Sequence, residues 1–312
     1  MSEKERNQNM TSDSNSTYLR FGLFHRLGHF LIIISFFGLV LTGMPLVFKD
    51  YGWAHFLYNL MGGYPTAGNI HRICALITFV ATFLHFAFLA FETLVRKNRN
   101  IFWGPESLLI QPKDLLNILG DILWFFRLGK RPQFERYIYW EKFEYLSLMW
   151  GTMVMAVTGF ILWFPVQSAN LVPAKLATFI DLPSIALVAH RYEALLAAGF
   201  IFSIHFLHTH LLPENIPVDE AMFTGRIEEG HFKHERGAYY ERLKEEGQLE
   251  ELKVPPASSK AKFVSKLMGL PLLGVGLLMV GFMLSSLICS LASVFVDLTK
   301  NIHFDIFSIF AF

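Results

Sequence analysis

Apolar residues gather into five long runs along the chain, and polar residues are largely confined to the segments between them. Each run is long enough to cross a hydrocarbon core of ~30 Å as a helix, which takes roughly 20 residues. The runs cover about 27–48, 70–94, 143–164, 184–212 and 263–296. This pattern predicts an all-α membrane protein with five transmembrane helices.

The positive charge of the connecting segments predicts how these helices are oriented. Lys and Arg number four up to residue 26, nine in 95–142 and eight in 213–262, against one in each remaining segment, namely Lys49, Lys175 and Lys300. Because positively charged loops stay in the cytoplasm, we expect a cytoplasmic N-terminus and a periplasmic C-terminus. No small-residue cleavage site follows the first run, which predicts a retained helix rather than a signal peptide.

Composition agrees with a lipid environment and narrows the chemistry. The 312 residues are 53% hydrophobic with 32 Phe, and the mean hydropathy is +0.39. Cys74 and Cys289 are too few for a disulfide framework, a zinc ribbon or an iron-sulfur cluster, and no C-x-x-C-H predicts covalent haem. No phosphate-binding loop, internal repeat or basic nucleic-acid-binding stretch is evident. The candidate chemistry therefore lies in the twelve histidines.

Two predicted helices carry a His-Arg dipeptide at the same depth. His71-Arg72 lies in the second helix and His190-Arg191 in the fourth, and both helices are predicted to run from the outside inward. Two imidazoles from facing helices can supply both axial ligands of a haem iron, and neighbouring guanidinium groups suit the carboxylates of a haem. The pattern predicts an outer b-type haem between His71 and His190.

Each of these helices has a second histidine near its inner end. His85 follows His71 by 14 residues, within about 40° of the same helix face and ~21 Å along the axis. His205 follows His190 by 15 residues, about 60° out of phase and ~22 Å away. On an ideal helical wheel His208 shares the face of His190 better than His205 does, so spacing alone leaves the inner ligand open.

Four stretches resemble the four-helix core of bacterial di-haem cytochrome b subunits. They are RLGHFLIIISFFGLVLTG (26–43), NIHRICALITFVATFLH (69–85), EKFEYLSLMWGTMVMAVTGFILWF (141–164) and HRYEALLAAGFIFSIHF (190–206). The family includes the membrane subunits of formate dehydrogenase, nickel-iron hydrogenase and thiosulfate reductase, and b-type proteins that pass quinol electrons to periplasmic multihaem cytochromes, which the chain resembles more closely. The resemblance covers roughly 20–230 and implies a four-helix bundle with two haem b groups in the bacterial inner membrane.

The resemblance also implies which residues ligate the inner haem. Arg26-x-x-His29, before an apolar run ending in Thr-Gly, is similar to the first-helix ligand motif of the family. The family has a second inner ligand near the end of the fourth helix, a position that matches His205. His85 departs from the pattern: it replaces His29 as a ligand, or it faces a third haem or the quinone.

A quinone site is expected at the inner end of the bundle. Quinone chemistry moves protons with electrons, so the site needs groups that exchange protons near a haem. His208 and His210 lie just past the inner ligand position, and Glu141, Glu144 and Tyr145 lie where the third helix begins. We expect Glu144→Gln or His208→Ala to slow reduction by menaquinol.

These observations predict a b-type cytochrome that moves electrons between membrane menaquinol and a periplasmic partner, such as a multihaem cytochrome c or an iron-sulfur subunit. The alternative is the anchor subunit of a periplasmic dehydrogenase or hydrogenase that reduces quinone. A third hypothesis belongs to another class, because three motifs resemble the histidine boxes of membrane di-iron desaturases and hydroxylases. The boxes are His25-x-x-x-His29, His205-x-x-His208-x-His210 and His231-x-x-His234. That hypothesis leaves both His-Arg dipeptides without a role.

The chain is expected to divide into four parts. They are a polar cytoplasmic segment (1–20), the four-helix cytochrome b domain (21–212), a charged cytoplasmic connection (213–261), and a fifth helix with a periplasmic tail (262–312), the last a candidate docking element. Within the connections, 95–142 is predicted to contain an amphipathic helix at the membrane interface, and 219–252 to form a charged helix.

Overall fold

A computed structural model describes residues 16–309 apart from 172, 174, 176–178 and 214, with side chains described up to residue 296. The predicted polar segment up to residue 15 and the end of the predicted tail lie outside the described residues. Within these described residues, five helices are long and apolar enough to cross a membrane, which confirms the predicted number and the mainly helical fold. These first to fifth spans are Leu23–Val47, Tyr64–Leu94, Tyr139–Trp163, Leu182–Leu211 and Ser259–Val296.

The first four spans pack as two pairs. The first span lies against the second and the third against the fourth, and the first and fourth also touch. The short helices Gly52–Leu60 and Pro165–Ala169 lie in the two connections within the pairs. Gly38 allows the closest approach in the first pair, because a side chain there would collide with the buried Cys74. Cys74 is therefore a packing residue.

The fourth span changes its winding halfway along. It is α-helical over Leu182–Phe200, then π-helical over Ile201–His205 and again over Leu207–Leu211. The buried Phe202 and Phe206 of this segment pack against Gly276 of the fifth span. A Cβ atom at Gly276 would lie 2.5 Å from Phe206 Cε2 and 2.7 Å from Phe202 Cδ1. The helix-to-helix contact therefore requires glycine.

The fifth span is also fixed at the other end of the bundle, next to Gly52–Leu60. The hydroxyl of Tyr51 donates to the Ser286 carbonyl at 2.7 Å, and Trp53 Nε1 donates to Ser286 Oγ at 3.0 Å. The Trp53 ring stacks on Phe282 with 5.5 Å between centroids. We call this the far end of the bundle. The fifth span, a helix that continues to Ile309, is integral to the fold.

At the opposite end three segments fold together into what we call the cap, residues 16–22, 95–138 and 215–258. Strands Thr17–Leu19 and Arg226–Glu228 pair antiparallel, with Tyr18 opposite Ile227. Aromatic and aliphatic side chains close over this pair to form a small apolar core, consisting of Tyr18, Ile227, Phe232, Tyr239, Tyr240, Leu243 and Leu249. The cap is thus a packed unit with its own core.

The prediction of one charged helix over 219–252 is wrong. The segment forms short elements instead: helices Ala221–Thr224, Glu229–Glu235 and Gly237–Glu245, the strand Arg226–Glu228 and the 3₁₀ turn Glu250–Leu252. Gly225 and Gly247 adopt φ of 77° and 71°, a left-handed conformation that ends a helix and favours glycine. The chain reverses at these points, which lets its aromatic residues reach the cap core.

The amphipathic helix predicted within 95–142 is present as Pro112–Phe125, and a short 3₁₀ turn, Arg99–Ile101, precedes it. Asp114 accepts a hydrogen bond from the Gln111 backbone N–H at 2.8 Å and pairs with Lys142 Nζ of the third span at 2.9 Å. The outward face of the helix Pro112–Phe125 is apolar, with Leu115, Leu116, Leu119, Trp124 and Phe125 exposed. Its position at a membrane interface stays a prediction, as does the orientation of the bundle.

Candidate functional site

The imidazoles of His71 and His190 face each other near the far end. Their ring centroids are 6.3 Å apart and their planes meet at 59°. Two metal–nitrogen bonds of about 2 Å, together with the distance from nitrogen to ring centre on each side, add to about 6 Å. The second and fourth spans therefore hold two imidazoles at a separation that fits one metal ion between them.

Hydrogen bonds define the tautomer of both rings. Thr42 Oγ1 donates to the carbonyl one turn back in its own helix at 2.6 Å, so it accepts a hydrogen from His71 Nδ1 at 2.8 Å. Thr158 Oγ1 donates in the same way at 2.7 Å and accepts from His190 Nδ1 at 3.0 Å. A neutral imidazole with a protonated Nδ1 has its lone pair on Nε2. Both Nε2 atoms are therefore metal-binding acceptors.

This arrangement repeats in the two helix pairs. Gly43 and Gly159 each follow one of the two threonines, and a Cβ atom would lie 3.2 Å from Cε1 of His71 and 3.3 Å from Cε1 of His190, respectively. In each helix pair, a Thr-Gly dipeptide on one helix therefore contacts the histidine of a His-Arg dipeptide on the neighbouring helix. This repeat was not predicted, although the four dipeptides are visible in the sequence.

The two arginines that follow the histidines are exposed. Arg72 Nη1 donates to Asn69 Oδ1 at 3.3 Å, and its guanidinium group lies over the Trp163 ring at 5.7 Å. Arg191 is on the matching turn of the fourth span. Both cations lie one residue beyond the imidazoles, where the carboxylates of a bound haem are expected.

At the cap end a cavity of about 900 Å³ lies between the spans and continues beneath the cap. It contains most of the residues predicted at the inner end. Its lining includes His25, His29, His85, His205, His210, Glu141, Glu144 and Tyr145. The structure does not bring His208 to this cavity. Arg26 lies beside it, donating from Nη2 to the Phe223 carbonyl at 2.6 Å.

The π-helical winding explains why His205, and not His208, lines the cavity. A π-turn contains more residues than an α-turn, so each residue rotates by less than 100°. The 15 residues from His190 to His205 then come close to a whole number of turns, and His208 rotates away. Its ring stacks instead on Trp140, 4.1 Å between centroids and 16° between planes. The ideal wheel favoured His208 because it assumed α-helix throughout.

Glu144 orients the ring of His205. Its Oε2 accepts a hydrogen bond from His205 Nδ1 at 2.9 Å, which leaves the lone pair of the ring on Nε2. A carboxylate behind the distal nitrogen is the usual partner of a metal-binding histidine. Glu144 was predicted as a proton-exchanging group, and its contact with His205 was not predicted.

The other cavity imidazoles differ in which nitrogen is available. His85 Nε2 is hydrogen-bonded to the Tyr145 hydroxyl at 2.8 Å, so it is already engaged. His210 Nδ1 accepts from the Asp219 backbone N–H at 3.2 Å, which puts the proton of a neutral ring on Nε2. His29 makes no hydrogen bond to any residue that the structure describes. His25 also has no hydrogen bond among the described residues, but its ring packs edge-on against Phe88, so His29 is the preferred candidate partner for His205.

The three histidine boxes contribute residues to one cavity but do not converge on a metal position among the described residues. His25 packs edge-on against Phe88, and His231 Nε2 lies 3.3 Å from Glu235 Oε2 within the cap. His234 is exposed and lies 3.2 Å from Arg131 Nη1. In the described part of the chain, no three His, Cys, Asp or Glu side chains converge in an arrangement that could hold a metal ion.

The part of the cavity beneath the cap is lined by charged groups outside the spans. Burial raises the pKa of Asp219. Burial also acts to raise the pKa of Glu235, but the hydrogen bond from His231 and the charge of Arg236 outweigh it and lower the pKa. Burial and the nearby charge of Arg236 lower the pKa of Arg20 to about 10. The roof of the cavity is therefore built from desolvated, closely spaced charges.

Comparison with known proteins supports the resemblance seen in the sequence. No family model matches the chain. It is 24% identical over 139 residues to the formate dehydrogenase cytochrome b556 subunit of Haemophilus influenzae, a match that covers 44% of this chain and 51% of that relative. The chain therefore aligns with about half of the length of the relative. The similarity is to a b-type cytochrome membrane subunit.

Proposed function

We propose that the protein is the b-type cytochrome subunit of a membrane electron-transfer complex and binds one haem near each end of its four-helix bundle. The observation that carries the proposal is the facing pair His71 and His190, with both Nε2 atoms free to bind iron. A haem in such a site supplies an iron that gains and loses single electrons. The similarity to a cytochrome b556 subunit supports the same function.

The residues divide into ligands and groups that orient them. His71 and His190 would hold the far-end haem, with their rings fixed by threonine hydroxyls. His205 and His29 would hold the cap-end haem, with His205 fixed by Glu144. Arg72 and Arg191 are suited to the far-end carboxylates by charge. A third haem ligated by His85 is disfavoured, because Tyr145 engages the Nε2 of that ring.

The cap-end cavity is the proposed quinol site. A quinol releases two protons with its two electrons, so proton acceptors must adjoin its hydroxyl groups. The hydrogen-bonded pair His85 and Tyr145 can take up a proton at the imidazole or pass it through the hydroxyl. His210 can hydrogen-bond a quinone carbonyl from Nε2. Glu141 and Asp219 both line the cavity. Together they provide a polar route by which protons can leave the membrane.

Two directions of electron flow fit this arrangement. In the first, menaquinol is oxidised at the cap end, and electrons leave at the far end to a periplasmic multihaem cytochrome c or iron-sulfur subunit. In the second, the protein anchors a dehydrogenase and electrons flow toward quinone. The name of the relative, a formate dehydrogenase subunit, favours the second direction, whereas the first rests on the sequence resemblance alone.

Spectroscopy of the purified protein tests the proposal. We expect a reduced-minus-oxidised spectrum with b-type bands and two haems per chain. We also expect haem reduction by a menaquinol analogue, and Tyr145→Phe should slow it severalfold with haem content unchanged. Non-haem iron without b-type bands would favour the di-iron hypothesis. The absence of both iron and haem would overturn either metal-based function.

A further inference from the structure

Two buried arginines of the cap have N–H groups without acceptors. Arg20 and Arg236 are each 6% exposed. Arg20 Nη2 donates to the Arg136 carbonyl, and Arg236 Nη2 donates to Glu141 Oε1, both at 2.8 Å. Arg20 Nη1 and Arg236 Nε and Nη1 are buried with no hydrogen-bond partner in the part of the chain that the structure describes. Buried, charged donors without acceptors are costly, and they indicate a ligand.

The acidic groups nearby do not supply the missing acceptors. Glu141 already accepts from Arg236 Nη2, and Glu235 Oε2 lies 3.9 Å from that same nitrogen. Asp219 Oδ1 accepts instead from the Ala221 backbone N–H at 2.8 Å. Arg20 Nη1 and Arg236 Nε and Nη1 are therefore left without an acceptor among the described residues.

These donors lie in the cavity that also contains the two cap-end imidazoles. Arg20 and Arg236 line its roof, and His29 and His205 line its membrane part. We infer that Arg20 and Arg236 form a carboxylate-binding site and that the haem held by His29 and His205 places its carboxylates there. The inference rests on the proposed function and deepens it. It gives the cap, which lies outside the membrane spans, a direct part in cofactor binding.

The chemistry of the donors favours an anionic oxygen ligand. Arg236 Nε and Nη1 point to opposite edges of the guanidinium group, and Arg20 contributes Nη1, so three separate N–H donors can each bind one carboxylate oxygen. Hydrogen bonds between a guanidinium group and a carboxylate are charge-assisted and strong. A free phosphate ion has the same oxygen chemistry, so the experiment must separate an attached carboxylate from a dissolved anion.

The test compares Arg20→Gln and Arg236→Gln with Arg242→Gln in the purified full-length protein. Arg242 is the matched control, because it pairs with Glu106 and Glu135 in the cap and does not line the cavity. The readouts are redox titration of each haem and the carboxylate bending band of reduced haem in resonance Raman spectra. Each titration is run with and without added inorganic phosphate.

We expect Arg236→Gln to shift the cap-end haem toward its oxidised form about tenfold, or about 59 mV for one electron. Loss of a nearby positive charge favours the more positive iron. The carboxylate band should change, the far-end haem should not, and Arg20→Gln should act in the same direction. If Arg236→Gln does not fold, Arg236→Lys keeps the charge, and we expect it to change the band with a smaller redox shift.

Other outcomes would overturn the inference in distinguishable ways. Two haems with Arg20 and Arg236 variants indistinguishable from Arg242→Gln would refute the carboxylate site and leave the proposed function standing. A phosphate-dependent potential in the wild type that the variants lose would assign the site to a dissolved anion. A wild type without b-type bands would refute the proposed function and the inference together.

Discussion

The far-end and cap-end imidazole pairs lie in the same four helices but are built differently. At the far end, His71 and His190 project from α-helical segments, and neutral threonine hydroxyls fix both rings. At the cap end, His205 projects from a π-helical segment, and a carboxylate, Glu144, fixes its ring. The cap-end pair also borders a cavity of about 900 Å³ lined by further ionisable groups.

This difference indicates that the two ends have different roles. A threonine hydroxyl sets the tautomer of an imidazole without adding charge, which suits a site that only relays electrons. A carboxylate acceptor makes the imidazole more basic, and the cavity that the cap-end pair lines also contains groups that can exchange protons. The contrast supports the proposal that the far end is the electron exit or entry point and that electron and proton transfer are coupled at the cap end.

The largest expected effect is loss of one haem when the far-end pair is broken. Replacing His71 or His190 with Ala removes one of the two proposed iron ligands, so we expect about half the haem in the purified protein. The remaining haem should still be reduced by a menaquinol analogue. Haem content per chain by pyridine haemochrome assay provides the measurement.

His55→Ala is the control for that experiment. His55 is exposed on the short helix Gly52–Leu60 at the same end of the bundle, and we expect this variant to retain both haems. Full haem content and an unchanged spectrum in His71→Ala would refute the far-end assignment.

The second prediction separates the two candidate partners of His205. We expect His29→Ala to lose the cap-end haem, because no hydrogen bond within the described residues engages its ring. His85→Ala should retain both haems and lose only rapid reduction by quinol, because its Nε2 is bonded to Tyr145. Haem content of the two variants decides between them. Haem loss in both, with more than two haems in the wild type, would indicate a third haem.

The positions of the spans and of the far-end histidines were predictable from the sequence, because the backbone there is regular. The five spans follow from local hydropathy, and the facing of His71 and His190 follows from helices that stay α-helical around them. The choice between His205 and His208 was not predictable from spacing. The π-helical segment packs its Phe202 against Gly276, which lies far along the chain, and a helical wheel contains no such contact.

The cap was the least predictable part. Strands Thr17–Leu19 and Arg226–Glu228 have three residues each and are separated by most of the chain, so no periodic pattern reveals them. The charged segment 219–252 has helix-forming composition, but Gly225 and Gly247 break it into short elements. Burial of Arg20 and Arg236 depends on this tertiary packing, and two arginines in polar segments carry no sequence signal of a site.

The third prediction concerns the neutral acceptor of the far-end pair. Thr158→Val keeps the shape of the side chain but removes the oxygen that accepts from His190 Nδ1. Loss of such a second-layer hydrogen bond typically weakens metal binding about 10–100-fold. We expect faster transfer of the far-end haem to a haem-scavenging apoprotein, with the cap-end haem unaffected.

Thr158→Ser provides the discriminating control. Serine restores the hydroxyl without the methyl group, so we expect haem transfer at close to the wild-type rate. If Thr158→Ser loses haem as fast as Thr158→Val does, the threonine acts through packing, and the proposed tautomer control is wrong.

The smallest expected effect tests the charged acceptor of the cap-end pair. Glu144→Gln keeps an oxygen that can accept from His205 Nδ1, so the ring should stay in place and both haems should be retained. The variant removes a negative charge beside the ligand, which disfavours the oxidised iron and shifts the cap-end haem severalfold toward its reduced form.

If Glu144 only positions His205, reduction by a menaquinol analogue in stopped flow should be at least as fast as in the wild type. If Glu144 also accepts quinol protons, as expected from the sequence, reduction should slow severalfold despite the more favourable potential. Tyr145→Phe serves as the reference, because it alters the proposed proton-exchanging pair without changing charge at His205. An unchanged potential in Glu144→Gln would remove the charge difference on which the contrast between the two ends depends.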